Sequence, residues 1–197
     1  MSIRIGILIL LLINFVAQAQ PTIDTKQSLR HGDIVFNDGT VLTCDYAYNP
    51  IVNEGLLFVK QNDLTIAYGV TKVKSFSFFD EEMNGIRYFY NLPIYNSSGG
   101  APLGRYFFES IYDNKIISVL GRMTVKTKSN IMSKAKYDKK YLLDHRNGQL
   151  YPLSKKKMIE LIGDKEEVMN YMYMKHYKLH EKDIDQYFTL IDLYSRL

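Results

Sequence analysis

Lys72-Val73-Lys74-Ser75-Phe76-Ser77-Phe78-Phe79, Ile86-Arg87-Tyr88-Phe89-Tyr90-Asn91-Leu92 and Arg105-Tyr106-Phe107-Phe108-Glu109-Ser110-Ile111-Tyr112 decide the fold. Successive side chains of an extended chain point to opposite faces. The first run therefore sets Val73, Ser75, Ser77 and Phe79 against Lys74, Phe76 and Phe78. The second sets Tyr88 and Tyr90 against Arg87 and Phe89, and the third sets Tyr106, Phe108, Ser110 and Tyr112 against Arg105, Phe107, Glu109 and Ile111. Aromatic residues fall on both sides. A sheet with one wet face would not carry them, so it is predicted to be covered twice, by a second sheet or by helices.

Outward from this centre the same grammar continues. Asp80-Glu81-Glu82-Met83-Asn84-Gly85 and Pro93 to Gly104 are turns and loops. Upstream, Ile34-Val35-Phe36 runs into Asn37-Asp38-Gly39, where Asp-Gly suits the positive φ of a type I′ hairpin turn. Val41–Tyr48 returns, Asn49-Pro50 ends it, and Leu56–Lys60 and Leu64–Val70 flank Gln61-Asn62-Asp63 as a second hairpin. Downstream come a strand from Lys115 to about Val125 and a last hairpin, Tyr141–Asp144 and Gln149–Leu153 around Asn147-Gly148.

The period then changes from two to 3.6. Ser154 is a candidate N-cap for Lys155–Ile162, which stops at Gly163. Asp164 is the candidate cap of a second helix ending near Tyr177. A third, from about Asp183, lines up Ile184, Tyr187, Phe188, Ile191 and Tyr194. The predicted fold class is α+β: an antiparallel, aromatic-rich sheet system over residues 32–153, sandwich- or barrel-like, followed by a two- to three-helix segment over 154–197. Residues 20–31 form a polar leader.

The N-terminus has the three parts of a secretory signal. Arg4 charges the n-region, Ile5–Val16 is nearly all apolar, and Ala17-Gln18-Ala19 offers the small residues that signal peptidase accepts. The apolar run is nearer ~12 residues than the ~20 a spanning helix needs. Export to the periplasm or the outside is therefore expected, with a chain from Gln20 that is soluble and has no transmembrane helix after cleavage. The chain has 1 Cys, 0 Trp, 16 Tyr and 10 Phe. Cys44 has no internal disulfide partner and suits a strand interior.

Net charge is +4 but is unevenly spread. Residues 20–113 hold 7 basic and 11 acidic residues, net −4; residues 114–197 hold 17 and 10, net +7. From Arg122 to Lys140 seven basic residues meet one acid, Asp138, without the interleaved aromatics that stack on bases. Nucleic acid is not an expected partner; an anionic envelope surface or a protein is.

No motif carries recognisable chemistry. His176 and His180 have helical metal-clamp spacing, but the residue after the first is Tyr177 rather than the Glu of zinc hydrolases, and three lysines crowd them. No metal site and no cofactor are expected. No G-x-S-x-G elbow occurs, and Ser97-Ser98-Gly99-Gly100 lacks its setting. The candidate binding residues are Arg87, Tyr88, Tyr90 and Glu109. Glu109 sits among Phe107, Phe108 and Ile111, where burial would raise a carboxyl and suit a general acid. Arg87 or Arg105 would instead make it an ordinary ion pair. The tyrosine faces, Tyr88 and Tyr90 with Tyr106 and Tyr112, would line a groove or simply be core.

The runs Gly32-Asp33-Ile34-Val35-Phe36, Tyr48-Asn49-Pro50, Glu54-Gly55-Leu56-Leu57, Ser77-Phe78-Phe79-Asp80 and Ile86-Arg87-Tyr88-Phe89-Tyr90 together resemble a family of uncharacterised exported proteins of Bacteroidetes-type bacteria. The resemblance implies a Gram-negative envelope and assigns no activity and no site residue. Three functions follow as expectations: a non-catalytic envelope protein that binds or scaffolds a ligand or partner; a small periplasmic hydrolase using a buried carboxylate such as Glu109; or an adhesion or assembly component acting through residues 122–140. The exported protein is expected to begin at Gln20, which intact-mass spectrometry checks; a mass retaining Met1 contradicts the signal reading.

Overall fold

Strands form where β-branched and aromatic residues alternate with polar ones, because such side chains pack well on a pleated surface. In the computed structural model, which describes residues 29–49, 55–62, 64–95, 101–123 and 137–197, that grammar yields ten strands and then three helices. Residues 1–28, read above as a signal peptide and most of a leader, the Ser97-Ser98-Gly99-Gly100 segment read as a loop, and residues 124–136 of the basic stretch lie outside the described residues. The strands are β1 Arg30–Phe36, β2 Val41–Ala47, β3 Leu56–Gln61, β4 Leu64–Gly69, β5 Val73–Asp80, β6 Gly85–Tyr95, β7 Pro102–Tyr112, β8 Ile117–Met123, β9 Tyr137–Asp144 and β10 Gln149–Pro152. The helices are α1 Lys155–Ile162, α2 Glu166–Met174 and α3 Ile184–Arg196. Among the described residues no helix is long and apolar enough to cross a membrane.

All ten strands belong to one antiparallel sheet, ordered β10-β9-β8-β7-β6-β5-β1-β2-β3-β4. Two devices curl it. β2 pairs β3 only through Tyr46↔Val59 and Ala47↔Phe58, so the β3–β4 hairpin is free to swing across one face. Tyr48 then meets Phe76, Phe89 and Phe107, and Tyr68 meets Phe36. Ile34, Tyr46, Leu57, Val59, Phe76, Phe78, Phe89 and Phe107 fill the space between as one apolar cluster. At the other end β10 comes back to β6, and Phe108, Leu120, Tyr141 and Leu143 pack inside that roll with Tyr90, Leu92 and Tyr106. The helices cover the opposite side of the same strands. There Ile117, Val119 and Leu142 pack on Met158, Ile162, Val168, Tyr187, Leu190 and Ile191.

Gly32 shows how tightly the curl is drawn. A Cβ there would lie 1.9 Å from the Ser77 carbonyl oxygen and 2.9 Å from the Phe78 Cα, both backbone atoms that cannot swing aside.

Several local expectations are corrected. The β1–β2 turn has positive φ at Gly39 (87°) and not at Asp38, and the Gly39 N–H donates to the Phe36 carbonyl at 3.0 Å. That is a type I turn closed by a glycine bulge rather than type I′. β6 and β7 extend to Tyr95 and from Pro102, shortening the loop read over 93–104. β9 begins at Tyr137, inside the stretch read as a connector. A bulge between Ser110 and Tyr112 flips the end of β7, so Tyr112 leaves Tyr106 and Phe108 and stacks on Phe188 of α3 at 4.5 Å. Ser154 does cap α1, accepting the Lys157 N–H at 3.2 Å. Asp164 does not cap α2; its N-cap is Lys165, and Asp164 accepts a hydrogen bond from the Tyr194 hydroxyl instead.

α2 stops at Met174 on a Schellman motif. The Tyr177 N–H donates to the Met172 carbonyl and the His176 N–H to the Tyr173 carbonyl. Tyr177 packs edge-on against Tyr171, supplying the apolar contact that accompanies such caps. His176 therefore occupies the left-handed position with φ +52°, where glycine is the unstrained residue. His176→Gly relieves a left-handed conformation that costs an L side chain about 1–2 kcal/mol and gives back about 0.4–1 kcal/mol in unfolded-chain entropy. A net stabilisation of up to about 1 kcal/mol is therefore expected in a denaturant melt. A loss of stability would contradict this account of the helix end.

Candidate functional site

The sequence candidates Arg87 and Glu109 meet, and two residues read as part of the leader and of a polar turn, Arg30 and Asp80, join them. β5, β6 and β7 lie side by side in the register Phe78↔Arg87 and Phe89↔Glu109. Arg87, Phe89 and Glu109 therefore share the inner face with Phe76 and Phe78. Arg87 grips Glu109 with two parallel bonds, Nε to Oε1 at 2.7 Å and Nη2 to Oε2 at 2.5 Å. Its third nitrogen, Nη1, donates to Asp80 Oδ2 at 3.0 Å, and Arg30 Nη1 reaches the same oxygen at 3.1 Å. The result is a chain, Arg30–Asp80–Arg87–Glu109, laid across β1, β5, β6 and β7. Glu109 and Asp80 are both buried.

Aromatic rings form its floor. The Arg30 guanidinium lies 4.3 Å from the Phe78 ring centre, and Arg87 lies 5.5 Å from Phe78 and 5.4 Å from Phe89. A planar, weakly hydrated guanidinium suits such stacking, whereas an ammonium would not replace it. Asp80, read as the start of a turn, is the last residue of β5. Its Oδ1 accepts the N–H groups of Glu82 at 3.1 Å and Met83 at 3.2 Å, closing the turn to β6.

The electrostatics follow. Burial pushes the Asp80 carboxyl up, but the bonds from Arg87, the Met83 N–H and Arg30 outweigh it and hold it at about 2. Both Glu109 oxygens accept guanidinium N–H bonds, so both faces of the carboxylate are occupied by Arg87. Arg105, the alternative partner for Glu109, goes elsewhere: its Nη2 donates to the Asn91 carbonyl at 2.9 Å and its Nε to Asn91 Oδ1 at 3.2 Å. Buried Asn91 in turn donates to the Val70 and Val73 carbonyls and pins the β4–β5 connection.

The tyrosines part company. Tyr88 is on the outer face and about half exposed, while Tyr90 and Tyr106 lean into the second roll. The four do not line one groove. Cys44 lies half-buried beside the first apolar cluster, where burial and the charges of Asp45 and Asp33 push its thiol up. His176 and His180 follow the end of α2 and so are not one helical turn apart; no group of three or more potential metal ligands occurs among the described residues.

One cluster with the residue types of a catalytic triad was missed by sequence. Ser118 Oγ donates to Asp113 Oδ1 at 2.5 Å and lies 2.8 Å from His145 Nε2. The roles are in the wrong order for a nucleophile, because the carboxylate holds the serine rather than the histidine. The Ser118 hydroxyl also lies 3.1 Å from the Asn114 carbonyl oxygen, so its hydrogen-bonding capacity is taken up within the turn. Ser118 is fully buried and also accepts the Asn114 N–H at 3.1 Å, which makes it the lock of the β7–β8 turn. Nearby, Arg146 bonds Asp144, the Tyr194 hydroxyl at 2.6 Å and the Leu161 carbonyl at 3.1 Å, docking α1 and α3 on the β9–β10 turn.

Outside these networks the outer face carries a strip of exposed apolar side chains. Phe79, Ile86 and Tyr88 are 52%, 58% and 49% exposed, with Phe79 directly opposite Ile86 across β5 and β6. Tyr88 continues a row through Ser77, Asp33 and Thr43 on β5, β1 and β2. No family model, no curated protein and no solved structure matches this chain.

Because Asp80 titrates near 2 in the fold and at 3.8 when free, its contribution is fully present above about pH 4 and is lost as pH falls toward 2. Asp80→Asn is expected to lower the denaturant midpoint at neutral pH and to flatten its fall between pH 4 and 2. An unchanged acid slope would contradict the assignment.

Proposed function

We propose that this protein is a non-catalytic envelope protein, exported from a Gram-negative cell, that binds or scaffolds a protein partner through the uncovered outer face of its sheet. The observation that carries this reading is the Phe79–Ile86–Tyr88 strip. Exposed apolar residues scattered singly are ordinary, but contiguous ones mark interaction surfaces. These three lie on paired strands at neighbouring positions. Acid lies at its border: Asp33 is exposed on the adjoining β1, Asp45 lies one strand further on β2, where it meets His31 at 2.8 Å, and Glu81 and Glu82 sit in the turn joining Phe79 to Ile86. The partner surface that fits is apolar and cationic.

The hydrolase reading is less favoured, because Arg87 occupies both oxygens of the carboxylate it needs. Export rests on the charged, apolar and small-residue segments of residues 1–19, and a Bacteroidetes-type source rests on the resemblance in sequence.

A photo-crosslinking residue placed at Ile86 in the native cell is expected to give an adduct of one defined mass. Asp33→Lys with Asp45→Lys is expected to weaken it, and Phe79→Ser with Tyr88→Ser to abolish it without moving the melting temperature. The same adduct from a probe at Lys156, or an Ile86 adduct indifferent to these changes, would overturn the reading.

A further inference from the structure

The connection between α2 and α3 presents a second surface of different character. Tyr173 and Met174, the last two residues of α2, are 64% and 71% exposed. They are followed by Lys175, His176, Lys178, His180 and Lys182, all exposed. Between Tyr173 and Lys182 the only acid is Glu181, with Asp183 next beyond it. The basic start of β9 adjoins this tip, for Lys140 Nζ donates to the Glu181 carbonyl at 3.0 Å, and Lys139 is exposed beside it.

The tip is held firmly. The Schellman bonds fix the end of α2, and Leu179 is buried as a peg. The Leu179 N–H donates to Gln186 Oε1 at 3.0 Å, and its carbonyl accepts the Tyr187 hydroxyl at 2.7 Å. Exposure of Tyr173 and Met174 is therefore a property of the folded chain.

We propose that this tip docks on an anionic phospholipid bilayer, with Tyr173 and Met174 seated among the headgroups and the lysines on the lipid phosphates. A tyrosine has the apolar body and polar end that favour headgroup depth. Lysine stems lie along apolar surface while their ammonium groups stay in water, and each near an anionic surface adds attraction that salt screens. Charge complementarity selects the bilayer over a protein partner. A stable protein interface needs about 800 Å² on each side, whereas two apolar anchors ringed by cations suffice for reversible attachment to a charged membrane. This surface is independent of the Phe79–Ile86–Tyr88 strip.

The chain has no tryptophan, so Met174→Trp introduces a sole reporter. The experiment uses the chain from Gln20 onward, which contains every described residue. Its emission is expected to shift to the blue, and to be quenched by brominated acyl chains, on adding vesicles of mixed phosphatidylglycerol and phosphatidylcholine. Vesicles of pure phosphatidylcholine should leave it unchanged. Phe79→Trp should stay unshifted on the same vesicles. In sedimentation of the unlabelled protein, Lys175→Ser, Lys178→Ser and Lys182→Ser together should weaken anionic-vesicle binding by about tenfold or more. Inorganic phosphate at matched ionic strength should not compete. Vesicle binding in which the tryptophan at 174 keeps its aqueous emission would place attachment elsewhere and overturn the proposal. So would competition by phosphate or the absence of binding.

Discussion

Arg87 is the side chain through which the aromatic interior is made compatible with charge. Two carboxylates, Asp80 and Glu109, are buried against phenylalanine rings, and the cost of removing them from water is met by one guanidinium that donates to both. Because the four members of the chain come from β1, β5, β6 and β7, the ladder also fixes how these strands sit beside one another. Apolar packing is tolerant of small slips, and bidentate pairs are not. Removing the arginine would leave two buried anions with reduced or no compensation, which is far more costly than never having had the pair.

A ten-stranded sheet with aromatic residues on both faces must find cover for each of them. The inner face is covered along its length, first by the folded-over β3–β4 hairpin and then by the helices. The outer face is covered only where β6–β10 roll onto themselves. Over β1, β2 and β5 and the first half of β6 nothing among the described residues lies on it, and Phe79, Ile86 and Tyr88 are left in water. That remainder differs in kind from the charged interior, since its apolar side chains stand about half or more exposed. The functional proposal follows from this asymmetry.

Much of the sheet was legible because period two is a property of consecutive residues. Phe76 and Phe78 inward, with Ser75, Ser77 and Phe79 outward, follow directly from alternation. Arg87 and Glu109 share a face by the same rule. What alternation does not carry is its own interruption. Bulges at Val35/Phe36 and Ser110/Tyr112 turn Val73 inward and send Tyr112 to the helices, and neither has a glycine or proline to announce it. The fold-over of β3–β4 depends on how few residues β2 and β3 pair, a long-range matter. Arg30 and Asp80 were missed for a simpler reason. They sit at strand ends read as leader and turn, although both fall in step with Gly32 and Ile34, and with Phe76 and Phe78.

The most direct test of the ladder is a double-mutant cycle between Arg87 and Glu109, read as unfolding free energy in denaturant. Arg87→Met alone should cost about 3–5 kcal/mol, because it strands Glu109 and leaves Asp80 with Arg30 alone, and adding Glu109→Met should return the Glu109 share of that loss. Additive costs in the double variant would show that the two groups do not stabilise each other and would contradict the account.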